Sequence, residues 1–268
     1  EEIGVVIEQG QVNTAWFTAA LFHVIAEYHL DLLRPLRQLL AGGDVLGPKL
    51  VRKVLEEIPG IRLINGYGPT ENTTFTCCYP ITQVSEVRHT VPIGRPIANT
   101  TVYILDRQRK PVPVGIPGEL YTGGDGVAHG YLNRDELTAE VFLPDPFSTE
   151  PGARLYKTGD LVRYLDDGNI EYLGRVDQQV KIRGFRIELS EVETALGRIN
   201  TVREVAVLAR EDIPGVKRLV AYFVPVAGAN PTTAELRVEL KQSLPEYMIP
   251  SAFVAMETLP VTANGKLD

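Results

Sequence analysis

The sequence contains four short strings whose residue types suit the binding of a nucleotide. The first is Asn-Gly-Tyr-Gly-Pro-Thr-Glu at residues 65–71. Its Gly-Pro turn lets the backbone approach a ligand closely, because glycine carries no side chain. Thr70 could donate to a phosphate oxygen, Glu71 could hold a hard cation, and Tyr67 could stack on a base. A plain strand-to-turn connection has the same composition, so both interpretations stay open for this string.

The second string combines Lys-Thr-Gly-Asp at 157–160 with Gly-Arg-Val-Asp at 174–177. It places the Asp160 carboxylate at the end of one strand and Arg175 at the end of the return strand. Two carboxylate oxygens match the two hydroxyl groups of a ribose, and a planar guanidinium suits phosphate. The alternative is a surface ion pair, which contributes little energy.

Residues 181–188 form the third string, and residues 260–266 form the fourth. The third alternates in the manner of an edge strand with solvated charges. The fourth places Lys266 directly after an Asn-Gly turn signal. Taken alone, the spacing of the third string does not exclude solvated charges, and a lysine such as Lys266 on a loop tip is nearly always just solvated.

The elements that must position these strings fall into three stretches. Up to residue 90 we predict an α/β portion, with helices over 1–9 and 47–57 and a strand over 62–64, because apolar residues recur at helical spacing after Pro48. From 91 to 177 we predict a β-rich subdomain resembling a small barrel or sandwich. Its strands are expected at 102–105, 119–122 and 169–173, with a hairpin turn at Asp167-Gly168.

The pattern changes again after Asp177. Ser190 with Glu193, and Thr232 with Glu235, are capping-box signatures. Apolar residues follow each at helical spacing, namely Val192, Leu196 and Ile199 in the first case and Leu236, Leu240 and Leu244 in the second. Strands are predicted at 205–208 and 219–224. We therefore expect a first domain over 1–177 and a small second domain over 178–268.

Composition excludes several classes of protein. The chain of 268 residues is 44% hydrophobic and 23% charged, with a net charge of −7. Because it has no basic block, we expect no nucleic-acid partner. Its apolar stretches are too short to span a membrane. The adjacent cysteines 77 and 78 indicate neither a disulfide nor a metal cluster, so we expect a reduced, cytoplasmic protein.

Together the four strings resemble, in order and spacing, the core motifs of adenylate-forming enzymes. Residues 39–44, 118–124 and 130–131 extend the series. The residues of these strings are most similar to those of adenylation domains of nonribosomal peptide synthetases. Tyr-Met-Ile-Pro at 247–250 and Asn-Gly-Lys at 264–266 are typical of such domains. The resemblance implies the C-terminal part of the adenylate-forming fold: α/β and α+β, with the remainder of a large core followed by a small lid domain. The family's phosphate loop and the aspartate that binds the substrate amino group are not among these residues, so we expect a piece of a longer domain.

The resemblance implies that residues of the first, second and fourth strings bind ATP and Mg²⁺. Thr70 would contact the α-phosphate, Glu71 would bind Mg²⁺, and Lys266 would bridge the substrate carboxylate and the nucleotide. Residues implied for the nucleoside are Gly43, Asn65, Gly66, Tyr67, Asp160, Tyr172 and Arg175, with Tyr67 stacking on adenine and Asp160 holding the ribose.

A second half-reaction is also implied. Asp177 would be the hinge about which the small domain rotates. Lys181 and Gly184 would then face the adenylate, and Gly184 would leave room for the phosphopantetheine arm of a peptidyl carrier protein domain. A condensation domain is the further expected partner.

The same comparison implies a side-chain pocket for the amino acid. Its members are Trp16, Leu40, Gly42, Gly66, Thr74 and Phe75, none of them charged. A charged substrate would be buried unpaired at high cost, so we predict a compact aliphatic one. The set also resembles the family's valine-type pocket, which implies valine, with isoleucine next. Two alternatives stay open: an acyl-CoA or aryl-acid ligase of the same superfamily, and a catalytically inactive fragment.

Overall fold

The computed structural model describes residues 2–177, 179–182, 184–213 and 216–260. The chain divides into two compact units, residues 1–177 and 178–268. The first unit contains two sheets, and the second contains a hairpin and a three-stranded sheet.

The first sheet of unit 1 has the strand order β1-β2-β3-β4-β5. Strands β1 to β3 run parallel, while β4 and β5 are antiparallel to their neighbours. The elements are α1 Glu2–Gln9, β1 Thr14–Thr18, α2 Ala19–Tyr28, β2 Gln38–Gly42, α3 Pro48–Glu57, β3 Arg62–Tyr67, β4 Cys77–Ile81 and β5 Arg95–Pro96. The predicted helices α1 and α3 are therefore confirmed, with Pro48 in the first turn of α3.

The two faces of this sheet differ because side chains alternate along each strand. Phe17, Leu39 and Leu63 are buried in one cluster with apolar residues of the helices. Trp16 and Leu40 are partners in register and lie on the opposite face, where Trp16 is 48% exposed. That second face carries most of the residues predicted to form the substrate pocket.

Two glycines let β2 and β3 approach closely at their carboxyl ends. Gly42 pairs with Gly66, and a Cβ on Gly42 would lie 1.9 Å from the Gly66 carbonyl oxygen. A Cβ on Gly66 would lie 2.4 Å from a ring carbon of Phe75. Any larger residue at either position would therefore displace backbone or the ring.

The second sheet of unit 1 is antiparallel, with order β10-β9-β7-β6 and β8 paired to β9. Its elements are β6 Thr100–Leu105, β7 Gly118–Gly124, α4 Asp135–Val141, β8 Phe142–Pro144, β9 Arg154–Tyr164 and β10 Ile170–Arg175. The predicted strands and the turn at Gly168, where φ is 78°, are confirmed. Ile104, Leu120 and Val162 share a buried cluster with Tyr67 and Cys77 from the first sheet.

The prediction that Asp160 ends a strand is wrong. β9 continues to Tyr164, and Asp160 lies in its middle, where the pairing with β7 shifts between Glu119 and Tyr121. This irregularity includes Gly159 at a φ of 73°. The bulge therefore interrupts the ladder without ending the strand.

Unit 2 begins with the hairpin β11 and β12, followed by a sheet of order β13-β14-β15. Its elements are β11 Gln179–Ile182, β12 Phe185–Glu188, α5 Leu189–Gly197, β13 Val202–Ile213, β14 Val216–Pro225, α6 Thr233–Lys241 and β15 Ala252–Ala255. β14 and β15 run parallel with α6 between them, which is a βαβ unit. Within the described part of the chain, none of the helices is long and apolar enough to cross a membrane.

One of the two predicted capping boxes is present. Thr232 and Glu235 make both reciprocal bonds at the start of α6, although the helix ends before Leu244. The prediction for Ser190 is wrong, because α5 already begins at Leu189. The Glu193 carboxylate instead accepts the backbone N–H of Val207 at 2.9 Å, a contact with the neighbouring strand.

Candidate functional site

Tyr67 of the first string and Arg175 of the second both bond to a buried carboxylate, Asp160. Tyr67, at the end of β3, donates its hydroxyl to Oδ2 of Asp160, and Nη1 of Arg175 lies 2.7 Å from Oδ1. The side chains of Arg175 and Asp160 are 8% and 4% exposed. Burying a charge is costly unless it is paired and hydrogen-bonded, and both conditions are met here.

The guanidinium of Arg175 also holds Asp177 through two bonds. Nε lies 2.7 Å from Oδ1 and Nη2 lies 2.6 Å from Oδ2 of Asp177, whose side chain is 41% exposed. Burial opposes the charged form of Arg175, but the bonds from Asp177 and the charge of Asp160 outweigh it and raise the arginine pKa. Arg175 therefore links the buried carboxylate to the predicted hinge residue.

A bulge in β10 directs Tyr172 and Arg175 to one face. Tyr172 pairs with Val162 and Arg175 pairs with Asp160, and the register shifts between Tyr172 and Gly174. Residues three apart on a regular strand point to opposite faces, so the extra residue brings both to the same side. Burial, followed by the charge of Asp160, raises the pKa of Tyr172 well above its ordinary value.

A second set of bonds holds the bulge around Asp160. The Thr158 hydroxyl donates to the Leu120 carbonyl at 2.7 Å and accepts the N–H of Asp160 at 3.0 Å. The Glu119 carboxylate accepts the N–H of Gly159 at 3.1 Å. Burial raises the pKa of Glu119. These contacts fix the backbone from which the Asp160 side chain projects.

The Thr-Glu pair of the first string lies in a 3₁₀ turn, Thr70–Asn72. Thr70 is exposed and Glu71 is half-buried, with Oε1 of Glu71 accepting from the Tyr131 hydroxyl. Burial and the bond to Glu71 raise the pKa of Tyr131, so the tyrosine is a hydrogen-bond donor at neutral pH. Thr73 and Thr74 follow with φ of 49° and 65°, a region that β-branched residues seldom adopt.

The residues predicted to contact the nucleoside differ in how accessible they are to a ligand. Gly43 has a φ of 85° and open space where a Cβ would be, so a ligand can approach its backbone. Asn65 is 4% exposed and donates its side-chain amide to the Pro92 carbonyl at 2.8 Å. Tyr67 is 6% exposed, which leaves little of its ring for a base to stack on.

The residues predicted for the substrate pocket converge on the open face of the first sheet. The rings of Trp16 and Phe75 have centroids 6.4 Å apart at an interplanar angle of 60°. Phe75 lies over Gly66, whose missing side chain makes room for the ring. Leu40 is half-buried beside Trp16, while Thr74 is exposed on the following turn.

The remaining predicted residues belong to unit 2. Lys181 lies in β11, and Gly184 lies at the hairpin turn with a φ of 85°. Lys266 falls outside the described residues. The hairpin confirms an extended, alternating backbone for the third string, with Lys181 paired to Arg186.

Two residues of the site, Glu119 and Tyr131, were not singled out from the sequence. Both lie in strings that the resemblance includes, at 118–124 and 130–131, but neither had a role. Their partners, Gly159 and Glu71, are 40 and 60 positions away. Only the tertiary structure brings such pairs together.

The donors at the turn are compatible with Mg²⁺. Glu71 offers an oxygen donor of the kind that Mg²⁺ prefers, and this ion is often bound by one or two carboxylates with waters and substrate phosphates. Among the described residues there is no group of three or more His, Cys, Asp or Glu side chains placed to hold a metal. A single carboxylate such as that of Glu71 suits an ion that arrives with a phosphate ligand.

Two family models match the chain. The model of AMP-binding enzymes matches residues 4–132, and that of the AMP-binding enzyme C-terminal domain matches residues 191–266. Over 268 residues the chain is 50% identical to tyrocidine synthase 3 of Brevibacillus parabrevis and 47% identical to gramicidin S synthase 2 of Brevibacillus brevis. It spans only 4% and 6% of the length of those two proteins.

Solved structures share the fold over nearly the whole chain. Holo-PA1221, an NRPS protein containing adenylation and PCP domains, has a TM-score of 0.89 and 38% identity, covering 99% of this chain and 45% of that one. The predicted fold class, the C-terminal part of the adenylate-forming fold, is thereby confirmed. From its matches to both family models and this shared fold, the chain belongs to the AMP-binding enzyme family, with a sequence of the kind found in adenylation domains of nonribosomal peptide synthetases.

Proposed function

We propose that this chain is part of an adenylation domain that joins an amino acid to the AMP portion of ATP and then passes it to a carrier thiol. The observation that supports this best is the convergence of Tyr67 from the first string with Asp160 and Arg175 from the second. The buried carboxylate of Asp160 and the guanidinium of Arg175, which is shared between Asp160 and Asp177, offer suitable groups for a ribose and its phosphates.

In the proposed reaction the amino-acid carboxylate attacks the α-phosphorus of ATP in line, the bond to the β-phosphate oxygen breaks, and pyrophosphate leaves. Thr70 would donate to the α-phosphate from its exposed position on the turn. Glu71 would hold Mg²⁺, which neutralises phosphate charge when bound. The chain thus contributes positioning and charge stabilisation rather than covalent chemistry.

Asp160 would contact the ribose by sharing or exchanging its present donors. Each carboxylate oxygen can accept more than one hydrogen bond, so a ribose hydroxyl can be added to the bonds from Tyr67 and Arg175. Because the ring of Tyr67 is buried, we assign it chiefly to orienting Asp160. Gly43 would let the nucleotide approach the end of β2, and Tyr172 would lie beside the sugar.

The second half-reaction would use unit 2. Lys266 would stabilise the reacting carboxylate and phosphate in the first step. After rotation about Asp177, the hairpin with Lys181 and Gly184 would admit the phosphopantetheine thiol of a peptidyl carrier domain. The thiol would then attack the acyl carbon, and AMP would leave. A condensation domain would be the next partner, and the expected location of the protein is the cytoplasm.

Valine is the amino acid that we propose as substrate. Trp16 and Phe75 occupy volume on the open face of the first sheet, and the missing side chain of Gly66 makes room for the Phe75 ring. A compact branched side chain suits such an uncharged surface. One methylene changes binding by only about 1–3 kcal/mol in an apolar pocket, so isoleucine should be accepted weakly.

Exchange of labelled pyrophosphate into ATP by the full-length protein tests this proposal. We expect exchange that depends on valine and Mg²⁺. Replacing Asp160 with Asn should raise the KM for ATP while leaving the order of preference among amino acids unchanged. Exchange that is independent of any amino acid would contradict the proposal.

An aryl-acid or acyl-CoA ligase is the second candidate. One solved relative, Klebsiella oxytoca NpsA in complex with 3-hydroxyanthranilyl-AMSN, is 31% identical to this chain with a TM-score of 0.61. Aryl acids included in the same exchange assay discriminate between the two. A signal from an aryl acid larger than that from every amino acid would favour this candidate, and no exchange with either class would favour an inactive fragment.

A further inference from the structure

The Gly130-Tyr131 string lies against the turn that carries Glu71. The Tyr131 hydroxyl donates to Oε1 of Glu71. We infer that Tyr131 is a positioning residue, which holds the Glu71 carboxylate in the orientation in which it binds the Mg²⁺ that accompanies ATP. This inference rests on the proposed function, because it assigns a role within the same site.

The ring of Tyr131 is fixed by its neighbours. It meets Phe142 edge-on, with ring centroids 5.5 Å apart at 73°, and Phe142 in turn lies 5.1 Å from Tyr156. The guanidinium of Arg154 covers Phe142 at 5.7 Å. Edge-to-face arrangements of this kind are favoured by the charge distribution of aromatic rings. The hydroxyl therefore reaches Glu71 from an aromatic cluster rather than from a solvated side chain.

The backbone of Tyr131 is held just as firmly. Its N–H donates to the Thr138 hydroxyl at 2.9 Å, and Arg154 donates to the carbonyls of Ala128 and His129 at 2.8 Å each. Gly130 has a φ of 145°, and a Cβ there would lie 2.4 Å from Thr138. Glycine at 130 is thus required for the loop to pack closely on α4.

The loop that carries Tyr131 also bonds to the backbone of the turn that carries Glu71. The N–H of Ala128 donates to the Glu71 carbonyl at 2.9 Å, and the Thr73 hydroxyl donates to the Gly126 carbonyl at 2.8 Å. The loop therefore fixes both the main chain of Glu71 and, through Tyr131, its carboxylate. An arrangement of this kind selects one rotamer of Glu71 before any ligand arrives.

Such fixation matters for a hard cation held by few protein oxygens. A freely rotating carboxylate would lose conformational entropy on binding, whereas one already hydrogen-bonded does not. Partners that orient a metal ligand typically change metal affinity or activity by about 10–100-fold when they are removed. We therefore expect the Tyr131 hydroxyl to act on metal affinity more than on amino-acid binding.

The test compares Tyr131→Phe with Tyr164→Phe in the full-length protein. Tyr131→Phe retains the ring on Phe142 and removes only the hydroxyl. Tyr164 is a matched control, because it is a half-buried tyrosine of the second sheet, on β9, whose hydroxyl donates to the Val102 carbonyl at 3.4 Å. Binding of Mn²⁺ in the presence of ATP is measured by electron paramagnetic resonance, and the Mg²⁺ concentration for half-maximal pyrophosphate exchange is measured in parallel.

We expect Tyr131→Phe to weaken Mn²⁺ binding and to raise the Mg²⁺ requirement by about tenfold or more, with the KM for the amino acid unchanged. Tyr164→Phe should leave both metal readouts at the wild-type value. In a Glu71→Gln background, Tyr131→Phe should add no further loss, because the group that it orients has already been changed.

Wild-type metal affinity in Tyr131→Phe, or an equal change in Tyr164→Phe, would overturn the inference. So would a full additional loss in the Glu71→Gln background. A wild-type protein without amino-acid-dependent exchange would instead contradict the proposed function, so the two failures are distinguishable.

Discussion

Asp160 carries a negative charge in a place that water barely reaches. Its compensation comes from the Tyr67 hydroxyl and from Arg175, both of which are themselves buried. Removing one partner of a buried pair leaves the other charge uncompensated, which typically costs about 3–5 kcal/mol. At the scale of the residue, therefore, this carboxylate stabilises the fold as well as offering acceptors to a ligand.

We predict that Asp160→Asn lowers the free energy of unfolding by about 3 kcal/mol, at the low end of that range because Asp177 still pairs with Arg175. Asp31→Asn is the control, since its ion pair with Arg34 has a similar 2.7 Å separation but Asp31 is 87% exposed. The control should lose less than about 1 kcal/mol. Urea denaturation measures both, and equal losses would contradict the buried pairing.

The residue types of this site were predictable, but their surroundings were not. Asp160 and Arg175 stand out in the sequence because their strings suit a ribose and a phosphate. The alternative, a surface ion pair, is excluded by their burial. The bond to Tyr67 could not be predicted, because it joins residues 93 positions apart. Roles in substrate binding remain predictions for all three residues.

At the scale of elements, irregular strands aim the side chains of the site. The bulge in β9 contains Gly159, whose φ of 73° is open to glycine at little cost. A Cβ at this position would lie 2.5 Å from Nη2 of Arg175 and 2.6 Å from Oδ2 of Asp177. Gly159 therefore serves both the backbone turn and the close approach of the ion pair.

We predict that Gly159→Ala destabilises the protein more than Gly152→Ala does. Both glycines have similar positive φ, 73° and 78°, so each substitution carries a similar backbone cost of about 1–2 kcal/mol. Gly152 has nothing within 4 Å of the added carbon, whereas Gly159 has the ion pair. The difference should exceed about 1 kcal/mol in thermal or chemical unfolding. A difference near zero would mean that Arg175 and Asp177 move aside freely.

A histidine links helices α2 and α3, which pack against the first sheet. This contact should make the stability of the protein depend on pH. Nε2 of His23 accepts the N–H of Gly47, at the start of α3, at 2.9 Å. Burial lowers the pKa of His23, although Asp44 acts in the opposite direction. The folded state thus favours the neutral ring. This stability is fully present above the unfolded pKa of about 6.5 and is lost as the pH falls below it.

We predict that wild type loses more unfolding free energy than His23→Gln when the pH is lowered from about 7.5 to about 5.5, a range that spans the unfolded pKa of histidine. Glutamine can accept the same N–H but does not titrate, and the carboxylates common to both proteins cancel in the comparison. Urea denaturation across this range is the measurement. Parallel pH profiles would show that His23 does not contribute to the acid response.

Local signals predicted elements well and failed where a long-range partner decided the outcome. Helix α3 follows from Pro48 and the apolar spacing after it, and the capping box at Thr232 is present. Ser190 matched the same signature, yet Glu193 bonds to Val207 of β13 instead. The strand through Asp160 likewise continues because neighbouring strands pair with it on both sides of the bulge.

At the scale of the whole molecule, the chain is two compact units, and each contributes residues to the proposed reaction. The chain spans less than half of holo-PA1221 and a few per cent of the synthetases that it resembles. The resemblance places the phosphate loop and the amino-group aspartate elsewhere in such proteins. Activity is therefore proposed for the full-length protein, in which Lys266 and the hairpin of unit 2 would act on the nucleotide in turn.

The most direct measurement is the identity of the adenylate that the full-length protein forms. The protein is incubated with Mg²⁺, ATP and an equimolar mixture of the twenty amino acids, and the quenched products are analysed by mass spectrometry. We predict valyl-AMP as the main adenylate, with a smaller amount carrying an acyl group heavier by one methylene. An adenylate that carries a charged or large aromatic amino acid would contradict the pocket assignment, and the absence of any aminoacyl-AMP would contradict the proposed function itself.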